Sequence, residues 1–226
     1  MTDLSENLHN VWSALANVAG GNGASVMFIG AKSGDGASLC AKSFAKLATS
    51  RAVKSVWLLD LDFYSDGQIR SFGNAKGTWT GPYDMTFGAS PFWRATPRSR
   101  DGNQGLSALV GYRYKNSKLF VSKFRKSGLS TGQTIQIGPS PEYFAKLKTV
   151  LDVVIIDAPA LERSRAGLAL VSQIDGVVLV VDGDKGDPRD SLILRDEILS
   201  AGGRCLGVVV VNNSQFTNNR NANNAA

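Results

Sequence analysis

The fold of this chain is decided by residues 25–38, which read Ser-Val-Met-Phe-Ile-Gly-Ala-Lys-Ser-Gly-Asp-Gly-Ala-Ser. The first five residues form a short apolar run typical of a buried strand, and a glycine-rich turn follows. A helical pattern then runs from about residue 37 to residue 51, with Leu39, Phe44 and Leu47 facing inward. A strand, a glycine-rich turn and a helix in succession present backbone N–H groups and a helix N-terminus to phosphate. This stretch therefore predicts an α/β fold with a phosphate-binding loop.

Two later apolar runs end in carboxylates. Asp60 and Asp62 end the run that begins at residue 55, and Asp157 ends the run at residues 153–157. Such continuous runs are typical of parallel strands covered on both faces, and parallel sheets bind ligands at their carboxyl edge. We therefore expect the three carboxylates and Ser38 to lie near the glycine-rich turn, where they would hold Mg²⁺ directly or through water and orient a nucleophile.

The rest of the chain alternates strands with helices. A first amphipathic helix is expected over residues 4–18, later strands at 119–121, 177–181 and 206–211, and later helices at 141–151, 164–172 and 189–201. This alternation predicts a doubly wound, mostly parallel sheet flanked by helices. We expect a single domain over residues 1–212, with an irregular basic insertion at about 64–118 and a disordered Asn-rich tail at 213–226.

Composition removes several classes of protein. The 226 residues are 43% hydrophobic and 19% charged, as in one globular domain. No apolar run approaches the roughly 20 residues that span a bilayer, and the first residues lack a signal-peptide pattern. We therefore expect a cytosolic protein in which Cys40 and Cys205 are reduced. His9 is the only histidine, which leaves no basis for a Ser–His–Asp triad or a histidine-based zinc site.

Positive charge is concentrated in the middle of the chain. The net charge is +6, and the stretch from Arg70 to Lys126 contains eleven lysines and arginines but two aspartates, with aromatic residues among them. Such a stretch would suit an acidic partner tail or the headgroups of an anionic membrane surface. Single-stranded nucleic acid is a third hypothesis, but a nucleic acid is not the expected partner because no recognised nucleic-acid module is present.

The motifs together resemble those of the MinD/ParA P-loop superfamily. Residues 31–38 resemble its deviant Walker A motif, residues 58–62 its Walker A′ motif and residues 153–157 its Walker B motif. Within that superfamily the chain is most similar to the bacterial tyrosine kinases (BY-kinases), the cytosolic partners of polysaccharide co-polymerases. Further elements of that family are resembled by Gly105-Leu106-Ser107, residues 157–159 and residues 207–212. The resemblance covers residues 6–212, apart from the stretch around 79–100.

The resemblance implies a P-loop NTPase (SIMIBI, MinD-like) fold, with ATP or ADP and Mg²⁺ as cofactors. The residues implied in nucleotide binding are Lys32, Ser33, Gly34, Asp35, Gly36, Ala37, Ser38 and, beside the adenine, Asn212. The implied Mg²⁺ ligands are Ser38, Asp60 and Asp157, and the ancestral catalytic carboxylates are Asp60 and Asp62.

Several departures from the family pattern bear on activity. Ala37 stands where the phosphate-binding lysine of the motif is expected, and Tyr64 stands where an arginine is common. The tail at residues 213–226 contains no tyrosine, whereas the family carries a cluster of acceptor tyrosines there. Glu6, His9 and Trp12 have the spacing of the family's Glu-x-x-Arg-x-x-Arg ring-assembly motif but lack both arginines. These losses predict a degenerate kinase-like protein without autokinase activity.

Two functional hypotheses follow. In the first, the protein regulates or assists exopolysaccharide or capsule biosynthesis and export, with a membrane co-polymerase partner, at the cytoplasmic face of the inner membrane; a homo-oligomer is compatible with this role. In the second, the protein is an active MinD/ParA-type ATPase or nucleotide switch in which Lys32, at the superfamily's signature-lysine position, replaces the missing charge. Retention of Asp60, Asp62 and Asp157 favours the second hypothesis.

Overall fold

The central element of the structure, a computed structural model that describes residues 4–19, 22–97 and 108–212, is an eight-stranded sheet. Its strand order is β10-β9-β1-β8-β2-β6-β5-β3, and a separate two-stranded sheet pairs β4 with β7. Neighbouring strands from β10 to β6 run parallel, whereas β5 and β3 extend the sheet antiparallel. The prediction of a mostly parallel sheet is confirmed.

The helices are α1 Leu4–Val18, α2 Ala37–Arg51, α3 Gly67–Ser71, α4 Pro141–Val150 and α5 Pro188–Ser200. The strands are β1 Ala24–Gly30, β2 Val56–Asp60, β3 Trp79–Asp84, β4 Trp93–Thr96, β5 Leu109–Tyr114, β6 Leu119–Phe124, β7 Thr134–Ile137, β8 Val153–Asp157, β9 Gly176–Asp182 and β10 Cys205–Val211. Both α2 and β8 have the bounds expected from the sequence, because their apolar patterns are uninterrupted and end at glycine or charged residues.

Helices cover both faces of the parallel strands, as a doubly wound sheet requires. Every residue of β1 is buried, and successive side chains of a strand point to opposite faces. Val26 and Phe28 pack into the core beneath α1 and α2, whereas Met27 and Ile29 pack into the core that contains buried residues of α4 and α5. Burial on both faces explains why these strands are continuously apolar rather than alternating.

The expectation of an irregular insertion at about 64–118 is wrong for much of the described part of that stretch. It contains α3, β3, β4 and β5, and β3 pairs antiparallel with β5 at the edge of the main sheet. Five of the six residues of β3 are exposed, so this strand has no apolar period to detect. In β4, however, buried Trp93 and Ala95 flank exposed Arg94, an alternation that does predict a strand.

The expected helix at 164–172 does not form. The segment is a series of turns with a short 3-10 helix at Val171–Gln173. Gly167 lies so close to β1 and to the residue that follows β8 that a Cβ atom there would be 3.0 Å from Ile29 and 3.1 Å from Ala158. The backbone at Gly167 therefore packs directly on the sheet, where a helix would have packed its side chains.

Two expectations lie outside the described residues: the Gly105-Leu106-Ser107 element and the tail at 213–226. None of the helices in the described ranges combines the length and apolarity of a membrane-spanning segment.

Candidate phosphate-binding site

The glycine-rich loop connects β1 directly to α2. Gly34 and Gly36 have φ angles of 97° and 95°, in the left-handed region that favours glycine. Gly36 is the residue before the first turn of α2, and a Cβ atom there would come within 3.2 Å of the Val211 side chain. Because the first N–H groups of a helix have no partner within the helix, α2 begins with donors directed at the loop.

Carboxylates hold the first half of the loop. Asp35 is buried, and its Oδ2 atom accepts a 2.8 Å hydrogen bond from the Lys32 backbone N–H. The Ser33 backbone N–H donates to Glu162 Oε1 at 2.6 Å. This bond, supported by the nearby Lys32 ammonium, lowers the pKa of Glu162. Glu162 therefore stays ionised and fixes the outer turn of the loop.

Asp60 and Asp157 lie next to each other at the ends of β2 and β8, where they are register partners. The Ser38 hydroxyl donates to Asp157 Oδ1 at 3.0 Å. Asp60 accepts backbone hydrogen bonds from Asp62 at 2.9 Å and from Gln68 at 3.0 Å. Burial raises the pKa of both carboxyls above their usual range. Repulsion from Asp60 raises the pKa of Asp157 further, and repulsion from Asp62 raises that of Asp60. A pair of this kind favours a bound cation or a shared proton.

Gln68 is a site residue that sequence reasoning missed. Its side-chain Nε2 donates to Asp157 Oδ2 at 2.6 Å and to the Ser38 carbonyl at 2.9 Å. The residue is 2% exposed, and its Oε1 atom is buried without a hydrogen-bond partner among the described residues. Its position in the short helix α3, eight residues after Asp60, gave no pattern from which this contact could be inferred.

These groups surround one cavity of about 490 Å³. The predicted residues that line it are Lys32, Ser33, Gly34, Asp35, Gly36, Ala37, Ser38, Asp60, Asp62 and Asp157. Lys42, Gln68 and Arg163 also line it and were not predicted. Asn212 lies outside this lining, against Gly183, where a Cβ atom would be 2.3 Å from the Asn212 amide oxygen. The structure thus brings together all the predicted residues except Asn212.

The cations at the site have acidic or carbonyl partners. The Lys32 ammonium lies 3.7 Å from Asp190 Oδ2 and 4.0 Å from Glu162 Oε2. The Arg163 guanidinium lies 3.1 Å from Asp62 Oδ2. Lys32 therefore contacts acids outside the cavity lining, whereas Arg163 contacts an acid that belongs to it.

The donor set suits a hard cation with some of its water retained. No group of three or more His, Cys, Asp or Glu side chains that could hold a metal ion occurs within residues 4–19, 22–97 and 108–212, so the three predicted carboxylates do not form a complete cage. Mg²⁺ usually keeps several waters and takes one or two carboxylates together with phosphate oxygens. The Ser38 hydroxyl and Asp157 fit that requirement, with Asp60 nearby and with the Gln68 Oε1 atom, which has no hydrogen-bond partner in the part of the chain that the structure describes.

Neither a protein-family model nor a curated protein sequence matches this chain. Solved structures do. The kinase domain of the Escherichia coli tyrosine kinase ETK is similar with a TM-score of 0.60 at 13% identity, covering 91% of this chain and 74% of that one. The cell division ATPase MinD of Pyrococcus furiosus gives a TM-score of 0.56 at 16% identity, covering 83% and 71%.

A nucleotide-binding protein of Archaeoglobus fulgidus, solved in complex with ADP, gives a TM-score of 0.51 at 16% identity, covering 90% of this chain and 70% of that one. Because all three identities are low, the similarity concerns the arrangement of the elements. The chain has the P-loop NTPase fold shared by MinD-type ATPases and bacterial tyrosine kinase domains.

Proposed function

We propose that this chain is a nucleotide-binding, kinase-like P-loop domain that binds ATP or ADP with Mg²⁺ and lacks tyrosine autokinase activity. The observation that carries the proposal is Ala37 at the first position of α2, in a cavity that otherwise has a glycine-rich loop, a helix N-terminus and paired carboxylates. The similarity in fold to a protein solved with ADP supports nucleotide as the ligand.

The residues of the cavity have distinct roles in this proposal. The backbone N–H groups at the start of α2 would bind the phosphate oxygens, since these donors point into the loop. The Ser38 hydroxyl and Asp157 would hold Mg²⁺, with Asp60 beside them. The ion would supply positive charge that neutralises the phosphates. Gln68 would keep Asp157 oriented, because its amide donates to that carboxylate.

Loss of the lysine affects catalysis more than binding. In the ground state, several backbone N–H groups bind the phosphate oxygens together. The charge that develops in the transition state of phosphoryl transfer, by contrast, needs a cation placed beside it. An alanine at position 37 provides no charge. We therefore expect nucleotide binding in the micromolar to millimolar range and no transfer of phosphate to tyrosine.

The proposed cellular role is to regulate or assist exopolysaccharide or capsule biosynthesis and export, with a membrane co-polymerase as partner. This role rests on the resemblance to bacterial tyrosine kinases, and the fold shared with the ETK kinase domain supports it. Deleting the gene in its source organism should lower the amount of cell-surface polysaccharide. Normal amounts in the deletion strain would refute the role without touching the nucleotide proposal.

The alternative is an active MinD/ParA-type ATPase or nucleotide switch. One observation favours it: Asp60, Asp62 and Asp157 all remain around the cavity, two of them adjacent and buried. Measurement of phosphate release from Mg²⁺-ATP distinguishes the two proposals. Turnover that is lost on Asp157→Asn would support the ATPase, whereas binding without turnover supports the non-catalytic domain.

A further inference from the structure

Because position 37 is an alanine, another cationic side chain would have to contact the nucleotide phosphates. Three cationic side chains line the described cavity: Lys32, Lys42 and Arg163. Phosphate recognition at a P-loop depends on backbone donors together with at least one positive side chain. One of these three residues is therefore the natural source of the missing charge.

Two of the three are held by groups other than the cavity's carboxylates. The Lys32 ammonium is near Asp190 and Glu162, and neither acid lines the cavity. The Lys42 ammonium donates to the Ser71 carbonyl at 2.5 Å and lies 4.8 Å from the centre of the Phe72 ring. For either lysine to reach a phosphate, it would have to leave these contacts.

Arg163 differs because its carboxylate partner is itself part of the cavity. The guanidinium Nη2 atom lies 3.1 Å from Asp62 Oδ2, and both residues line the cavity. The Arg163 side chain is 58% exposed, so it is free to reorient. The Asp62 side chain is 21% exposed, so the pair is still in contact with water and contributes modestly to stability. Exchange of the Asp62 carboxylate for a phosphate oxygen keeps the guanidinium paired with an anion.

The backbone keeps Arg163 beside the phosphate-binding loop. The Leu161 N–H donates to the Gly30 carbonyl at 3.0 Å, and the Glu162 N–H donates to the Ala31 carbonyl at 3.2 Å. Glu162 also accepts the hydrogen bond from the Ser33 N–H. Three contacts thus tie the residues before Arg163 to the first half of the loop.

We infer that Arg163 supplies the cationic contact to the nucleotide phosphates that Ala37 does not provide, and that Asp62 holds it in the ligand-free protein. This inference rests on the proposed nucleotide-binding function. Arginine suits the role because its planar guanidinium binds phosphate through two parallel hydrogen bonds and stays charged at all physiological pH values.

Calorimetric titration with ADP and ATP, in the presence of Mg²⁺, tests the inference on three single variants and one double variant. Arg163→Ala should weaken binding at least tenfold, and Arg163→Lys should weaken it less. Arg165→Ala is the matched control, because Arg165 pairs with Glu197 and does not line the cavity; its affinity should match that of the unaltered protein. Thermal unfolding of each variant, with an unchanged midpoint, verifies that the fold is retained.

The double variant Ala37→Lys/Arg163→Ala separates a charge role from a structural one. If Arg163 provides the missing charge, a lysine at position 37 should restore the affinity that Arg163→Ala removes. Failure of this rescue, or equal affinity of Arg163→Ala and the unaltered protein, overturns the inference but leaves nucleotide binding intact. No binding by the unaltered protein up to millimolar nucleotide overturns both.

Discussion

Replacement of Ala37 by lysine should strengthen nucleotide binding by about 10- to 100-fold. Ala37 is half-buried at the start of α2 and lines the cavity, so a longer side chain begins at the cavity wall. A charge-assisted hydrogen bond contributes about 1.5–3 kcal/mol, and about 1.4 kcal/mol corresponds to a tenfold change in affinity. If Arg163 already contacts the phosphates, the gain should lie near the lower end of this range.

The assay is calorimetric titration of both proteins with ADP and with ATP in the presence of Mg²⁺. Ala37→Met is the matched control, since it adds a side chain of similar length without a charge, and it should leave the affinity unchanged or lower it. An Ala37→Lys affinity within threefold of that of the unaltered protein would refute the reasoning. The cavity would then differ from a phosphate site in more than one residue.

Three further predictions concern stability, each measured by urea unfolding without Mg²⁺. Because burial raises the pKa of Asp60 and Asp157, the folded state holds their protons more tightly than the unfolded state does, and the free energy of unfolding should fall as the pH rises from about 4 to about 7. Asp157→Asn should make this fall with pH less steep. An unchanged slope in that variant would contradict the assignment. Gln68→Ala removes the amide donor of Asp157 and should cost about 1–3 kcal/mol at pH 7.5; a cost below about 0.5 kcal/mol would contradict the observed contact. Gly36→Ala should cost about 1–2 kcal/mol, because position 36 has a left-handed φ angle and a Cβ atom would crowd Val211, and an equally stable variant would mean that the loop adopts another conformation.

The parallel core of the fold could be predicted because its signal is local. Strands buried on both faces must be apolar throughout, and the glycine-rich loop can connect a strand to a helix in few ways. This is why residues 37–51 and 153–157 were expected as the structure has them. The antiparallel edge could not be predicted in the same way, since β3 is almost entirely exposed and its pairing with β5 is made over a long sequence distance.

The residues of the candidate site likewise divide into those that local sequence predicts and those that it does not. Strand-end aspartates and loop residues could be predicted, because the carboxyl ends of parallel strands meet at one edge of the sheet. Gln68 and Arg163 could not, because each reaches the cavity through contacts with residues far away in the sequence, namely Asp157 and Asp62. The position of Lys32 beside Asp190 also depends on a long-range contact that no local pattern reveals.

Calorimetric titration of the unaltered protein with ATP and with ADP, in the presence of Mg²⁺, tests the central claim most directly. We predict saturable binding of both nucleotides, with a dissociation constant in the micromolar to millimolar range and without phosphate transfer to tyrosine. The absence of detectable binding up to millimolar nucleotide would contradict the claim, and the domain would then be a P-loop fold that no longer serves as a nucleotide site.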